Sequence, residues 1–176
     1  MAEQTESLDP ARLEAPTRVL IVAAPFYRGI ADALIAGARA ALDAAGVHHE
    51  LVEVPGALEV PVAMRLASQS GDFDGFVALG CVIRGETTHY ETVCAESARG
   101  LTLLGIEGLC IGNGILTVET TAQANVRADP AGANKGGGAA EAALHLIAIA
   151  RAYRRPARQV PDPGTRLAGG PGGSVA

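Results

Sequence analysis

Tryptophan is missing from this chain, and only three phenylalanines and three tyrosines are spread over its 176 residues. Hydrophobic residues still make up 48% of the total, so the core must be built from Ala, Val, Leu and Ile. Such small side chains imply closely packed helices and strands. Long hydrophobic runs are missing too. None approaches the roughly 18 residues of a membrane-spanning helix, and the opening residues 1–16 lack the apolar centre of a secretory signal. Positive charge is scarce: the net charge is −5 and the pI near 5.3. Nucleic acids and anionic membranes need a basic footprint, so neither is expected as a partner. Lys135 is the single lysine, and any anionic ligand must be held by a local site. The three cysteines, Cys81, Cys94 and Cys110, are an odd number without paired metal-ligand spacing. They suit reduced thiols in a cytoplasm, and no metal or cofactor is expected.

What is present is a regular alternation of apolar runs and helical periods. Residues 18–24 form a continuous apolar run of the kind found in a strand covered on both faces. Ile30, Leu34, Ala38, Leu42 and Ala45 then keep helical spacing up to Gly46. A second strand is predicted over 51–54, followed by the turn Pro55-Gly56 and a helix that Pro61 should open. The third strand is the run 75–83, and its helix carries Val93, Ala98, Leu101 and Leu104. A fourth strand is predicted over 108–112, then a short helix over 122–127 and a long one over 138–153. Such alternation means an α/β protein: a three-layer α/β/α sandwich around a four-stranded parallel sheet. The expected domain spans 17–155, between a flexible arm over 1–16 and a disordered tail over 156–176. That tail holds four of the ten prolines and five glycines without any apolar period, which rules out a packed core there.

Ligands of parallel sheets sit beyond the carboxyl ends of the strands. On this reading Phe26 and Tyr27 follow the first strand, Pro55 to Glu59 the second, Arg84 to His89 the third and Asn113 the fourth. Loops collect glycine, proline and polar residues in any case, so the shared rim is a pointer rather than a demonstration.

The most informative stretch is 80–100, GCVIRGETTHYETVCAESARG. A strand stops at Arg84-Gly85, and a hydroxyl-rich segment opens a helix near Thr88. A strand, tight turn and helix start aim several unpaired N–H groups at one point, where an anion such as phosphate can sit. His89 falls in the first turn of that helix, which would put a proton acceptor beside the cradle. The same spacing also fits plain N-caps at Thr87 and Thr88 and a surface histidine.

Lys135 stands in Ala133-Asn134-Lys135-Gly136-Gly137-Gly138, with Arg127 a short loop upstream. Together they could bind a phosphoryl group, the Arg by its planar fork and the Lys as a point charge. The glycines would let backbone approach an anion, or they could form a mere linker between helices. The order of a Walker loop is absent. A lysine can also form a Schiff base with a carbonyl substrate, although flanking glycines in a wet loop argue against the desolvation which that chemistry needs.

The string VIRGETTHYE over 82–91 closely resembles the signature of the lumazine synthases. The resemblance runs from about Arg18 to Arg155 and includes VPGALEVP, GNGILTVE and ANKGG at compatible spacing. It implies a flavodoxin-like fold and the joining of 5-amino-6-ribitylaminouracil to a dihydroxybutanone phosphate in riboflavin synthesis. The substrate's own amine is then the nucleophile. It adds to the butanone carbonyl, the imine loses phosphate through an enol, and ring closure with loss of water gives the lumazine. The resemblance assigns proton transfer to His89 and phosphate binding to the amides of Gly85, Glu86 and Thr87 with Arg127 and Lys135. Phe26 would stack on the pyrimidine ring, Gly56, Ala57, Leu58 and Glu59 would line the ribityl chain, and Cys81, Val82 and Ile83 would offer backbone groups. Asn113 stands where the family often has an aromatic residue, and Pro25 where it often has Arg. Pentamers, in some cases shells of pentamers, are the implied assembly, with riboflavin synthase a partner in some members. Two other readings stay open: a relative of archaeal riboflavin synthase, which resembles this fold, and a non-enzymatic container or flavin-binding paralogue. The first would not need Arg127 and Lys135, and the second would not need His89.

Overall fold

Strand β1, Arg18–Ala23, is buried from Val19 onward because helices cover it on both sides. The structure, a computed structural model, describes residues 15–153 together with Leu8, Asp9, Ala11 and Leu13. The predicted tail over 156–176 lies outside the described residues, as does most of the arm over 1–16. The described end of that arm is tied down. Ala11 and Leu13 pack half-buried on the core, and Arg151 donates to Ala15 O, Pro16 O and Thr17 Oγ1.

The remaining elements are α1 Arg28–Ala44, β2 His48–Glu53, α2 Glu59–Ser68, β3 Gly75–Ile83, α3 His89–Ile106, β4 Ile111–Val118, α4 Thr121–Ala128 and α5 Lys135–Tyr153. The strands form one sheet in the order β2-β1-β3-β4, and every pairing is parallel. Successive residues of a strand face opposite ways, and the core divides accordingly. Val19, Ile21, Val77 and Leu79 pack with Leu34, Leu42, Ala140 and Ile147 of α1 and α5. Leu20, Val22, Phe76 and Ala78 pack with Val60, Met64, Leu101 and Leu104 of α2 and α3. The three-layer α/β/α architecture is therefore observed.

Four boundaries differ from the sequence reading. The second strand starts at His48 rather than at 51; it is an edge strand and half exposed, so its first residues carry no apolar signal. Helix α2 begins at Glu59, with Pro61 inside its first turn. The N–H that proline lacks would have had no helical partner at that position. The fourth strand is not 108–112 but β4, which contains Asn113 and the two glycines beside it. Finally, Lys135 and the three glycines after it are the first turn of α5, not a loop. Asn134 precedes them with φ 42° and accepts from the Gly137 N–H through Oδ1 at 3.1 Å.

The last two differences share one cause. A Cβ on Gly112 would lie 1.7 Å from the Ala139 carbonyl oxygen, so α5 rests directly on the β4 backbone. Gly136 is equally crowded by α1. These glycines remove side chains where α5 is pressed between the sheet and a neighbouring helix.

Candidate active site

The parallel ladder continues past the carboxyl ends of the strands and fixes the loops that follow. Val54 N donates to Ala23 O and Ala24 N to Leu79 O, both at 2.9 Å, and Arg84 N donates to Val118 O at 3.0 Å. Beyond these bonds lies a half-open cavity of about 410 Å³. Its walls come from three strand ends in turn: Ala24, Phe26 and Tyr27 after β1, Pro55 to Glu59 after β2, and Cys81, Val82, Ile83, Gly85 and Thr87 at the end of β3. His89, Tyr90 and Val93 of α3 close it.

Phe26 is 74% exposed in the single chain, an unusual cost for a phenyl ring. Tyr27 holds it edge-on, with centroids 5.1 Å apart and planes at 71°. One face of the ring thus stays free for a planar ligand. Cys81 is buried, which pushes its thiol up to about 11, so it is a neutral wall and not a nucleophile. Glu59 opens α2, where a carboxylate sits well with the helix dipole.

The turn after β3 is only weakly capped. Thr88 occupies the N-cap position of α3, yet its hydroxyl takes no N–H from the helix. The His89 amide is 3.4 Å from Thr87 Oγ1. Among the described residues the His89 imidazole has neither hydrogen bond nor ion pair, and it is exposed at the cavity. Among the described residues no Arg or Lys lines the cavity. Arg84, which borders the turn, is taken up by Glu91 and by Glu119 at 2.6 Å, and it lies 4.2 Å over the Tyr90 ring.

Of the residues singled out in the sequence, Phe26, Gly56, Ala57, Leu58, Glu59, Cys81, Val82, Ile83, Gly85, Thr87 and His89 meet around this one cavity. Glu86 is in the same turn but outside the lining. Asn113, Arg127 and Lys135 do not reach it within the chain. Asn113 is not on the shared rim: it lies early in β4, beside a separate cavity with Leu101, Ile106 and Leu146. Its Oδ1 accepts from Ile115 N at 3.0 Å. Arg127 is exposed in the last turn of α4, donating to Gln123 O at 3.0 Å. Lys135 is exposed and makes no hydrogen bond or ion pair among the described residues. The sequence reading passed over Ala24, Tyr90 and Val93. Helical spacing could have found Val93, four residues after His89 and so on the same face.

Among the described residues no group of three His, Cys, Asp or Glu could hold a metal ion, and no helix is long and apolar enough to cross a membrane. A mostly apolar cavity at the carboxyl ends of parallel strands, with a few polar groups converging on it, places the chain among α/β proteins that bind small molecules. Comparison with known proteins makes this specific: residues 16–151 match the 6,7-dimethyl-8-ribityllumazine synthase family, and the chain belongs to it. Proteins named 6,7-dimethyl-8-ribityllumazine synthase are similar over most of their length. That of Jannaschia sp. (strain CCS1) is 59% identical over 81% of this chain and 80% of its own. That of Novosphingobium aromaticivorans is 59% identical over 75% and 95%, and that of Methylorubrum populi 56% identical over 82% and 89%.

Proposed function

We infer that this chain is a lumazine synthase, a transferase of riboflavin biosynthesis that condenses 5-amino-6-ribitylamino-2,4(1H,3H)-pyrimidinedione with 3,4-dihydroxy-2-butanone 4-phosphate. The products are 6,7-dimethyl-8-ribityllumazine, phosphate and water. The observation that carries the reading is the cavity itself. A free aromatic face at Phe26 lines it together with the exposed Gly85–Thr87 turn and His89. A planar heterocycle and a phosphorylated carbon chain are the two ligands such walls would take.

Roles for the residues follow from the chemistry of each step. Phe26 stacks on the pyrimidine, and the backbone of Cys81, Val82 and Ile83 reads its edge. Gly56, Ala57, Leu58 and Glu59 hold the ribityl chain, with the Glu59 carboxylate accepting from hydroxyls. The amides of Gly85, Glu86 and Thr87 bind phosphate, Glu86 through its N–H alone because its carboxylate would repel the ligand. His89 moves protons while the amine adds to the ketone, phosphate leaves and the ring closes. Holding two substrates in contact supplies much of the remaining acceleration.

A dianionic phosphate needs more than backbone amides, and among the described residues no Arg or Lys lines the cavity of the single chain. Arg127 and Lys135 are exposed with no carboxylate partner among the described residues, so we assign them to the cavity of an adjacent copy. Asn113 goes with them, bordering the neighbour's pyrimidine site. Ile106, Val126 and Leu146, at 79%, 65% and 40% exposed, add apolar surface that such an assembly would cover. The assembly would be a pentamer or a shell of pentamers in the cytoplasm, with riboflavin synthase as a partner that takes up the product. Residues 17–155 would be its folded unit. Incubating the purified chain with both substrates should yield lumazine absorbance and inorganic phosphate in equal amounts. Absence of both products would refute the reading.

A further inference from the structure

We propose that Arg84 is a positioning residue that sets the phosphate-binding turn by clamping it to the end of β4. The inference rests on the reading of residues 85–87 as the phosphate site. Its guanidinium lies where three elements meet. Nε donates to Glu119 Oε2 at 2.6 Å, just past β4, and Nη1 donates to Glu91 Oε1 in the first turn of α3. Its Cζ lies over the Tyr90 ring, 4.2 Å from the centroid, and Tyr90 lines the cavity with His89. Arg84's own N–H bonds Val118 O at 3.0 Å. Glu119 is held in turn, its N–H donating to Gln123 Oε1 at 2.9 Å at the start of α4.

Gly85, Glu86, Thr87 and Thr88 are all exposed, Thr88 makes no side-chain cap, and among the described residues the side chains of the turn itself supply only the 3.4 Å bond from the His89 N–H to Thr87 Oγ1. Little else therefore holds the turn in one shape. A planar fork is the group suited to the task, because it can meet two carboxylates from different elements and still stack on a ring. With both carboxylates engaged, Arg84 is not itself free to take a phosphate. Exposed ion pairs add little to global stability, whereas a small misplacement of binding groups weakens a site strongly. The clamp should therefore show in substrate binding and not in unfolding.

Steady-state kinetics on the full-length protein, varying each substrate in turn, test this. Arg84→Gln should raise the KM for the butanone phosphate about tenfold and weaken binding of inorganic phosphate alike, with the pyrimidine KM changed less than about twofold. Its melting temperature should stay within a few degrees of the unmodified protein. Losing the Arg charge also exposes two carboxylates near the phosphate, so Arg84→Lys is the decisive companion: it keeps the charge but not the fork, and should be as impaired as Arg84→Gln. Adding Glu119→Ala to Arg84→Gln should cost nothing further, because the tie is already cut. Recovery of the normal KM by Arg84→Lys would overturn the proposal in favour of charge alone. Equal rises in both KM values with a large fall in melting temperature would overturn it in favour of a folding role. If the unmodified protein makes no lumazine, the function reading fails by itself, and the inorganic-phosphate titration still decides on Arg84.

Discussion

Gly136, at the start of α5, lies against the carbonyl group of Leu34 in α1: a Cβ on it would sit 2.0 Å from that oxygen and 2.9 Å from the Leu34 Cα. Both are backbone atoms on the buried face of that helix and cannot swing aside. Gly136→Ala should therefore destabilise the protein by about 1–3 kcal/mol, the usual cost of overpacking, if it folds. Gly138 is two residues further along the same helix and has nothing within 4 Å of its would-be Cβ. Gly138→Ala should be neutral or stabilising by up to about 1 kcal/mol, the helix propensity gained. Urea unfolding at one fixed protomer concentration compares them.

This contact also explains where the sequence was legible and where it was not. Runs such as 18–24 and 75–83 announce buried strands because burial on both faces is written in nearly every residue. The strand predicted over 108–112 stops at Gly112, and the segment around Gly136 reads as a loop, because glycine ordinarily marks such breaks. Here glycine answers to a close approach between elements far apart in the chain, which local pattern does not encode. The site divides the same way. Phe26, the 56–59 turn and His89 follow strands whose predicted ends fall within a residue of the observed ones, and they do meet. Asn113 was assigned to the rim only because β4 was ended too early. The partners of Arg127 and Lys135 are not in the chain at all on the reading proposed here.

His89 is the proton carrier in the proposed chemistry. His89→Ala should lower kcat by roughly 10²–10⁴ while inorganic phosphate binds nearly as before. Turnover close to normal across the pH range would make His89 a surface residue of the first turn.

Lys135 distinguishes a phosphate clamp from an imine-forming lysine. It starts α5 as an exposed residue, a setting that does not desolvate an amine as Schiff-base chemistry requires. Borohydride added during turnover should leave no substrate carbon on Lys135, and Lys135→Arg should retain measurable activity. A covalent adduct found there by mass spectrometry would replace the clamp with an aldolase-like mechanism.

Arg28 forks onto Glu53 with bonds of 2.6 and 3.1 Å, tying the start of α1 to the end of β2 beside the cavity. The hydrogen bond from Arg28 holds the Glu53 carboxyl below its ordinary value of 4.5. A lowered folded value contributes stability that is fully present above the unfolded value and is lost as pH falls through the folded one. Both side chains are exposed, so the effect is small. The difference in melting temperature between the unmodified protein and Arg28→Gln should be constant above about pH 5 and shrink below pH 4.5. A difference that does not vary with pH would mean that the pair contributes no charge-dependent stability.

The shared site makes the strongest test of assembly. If each cavity takes His89 from one chain and Arg127 from the next, two variants defective in different residues should repair one another. His89→Ala and Arg127→Ala are prepared separately, unfolded, mixed in equal amounts and reassembled. In a ring of identical chains every interface is head-to-tail. With random mixing, half the cavities have an intact His89 and, independently, half receive an intact Arg127, so about a quarter are whole. The mixture should then reach roughly that fraction of normal turnover, well above either variant refolded alone. Native mass spectrometry of the same sample establishes that both chains share one ring. Were the cavity complete within one chain, no chain in the mixture would hold both residues and no mixing could restore activity. Mixed rings no more active than their parents would therefore return Arg127 to the surface and leave the phosphate to be held by the turn alone.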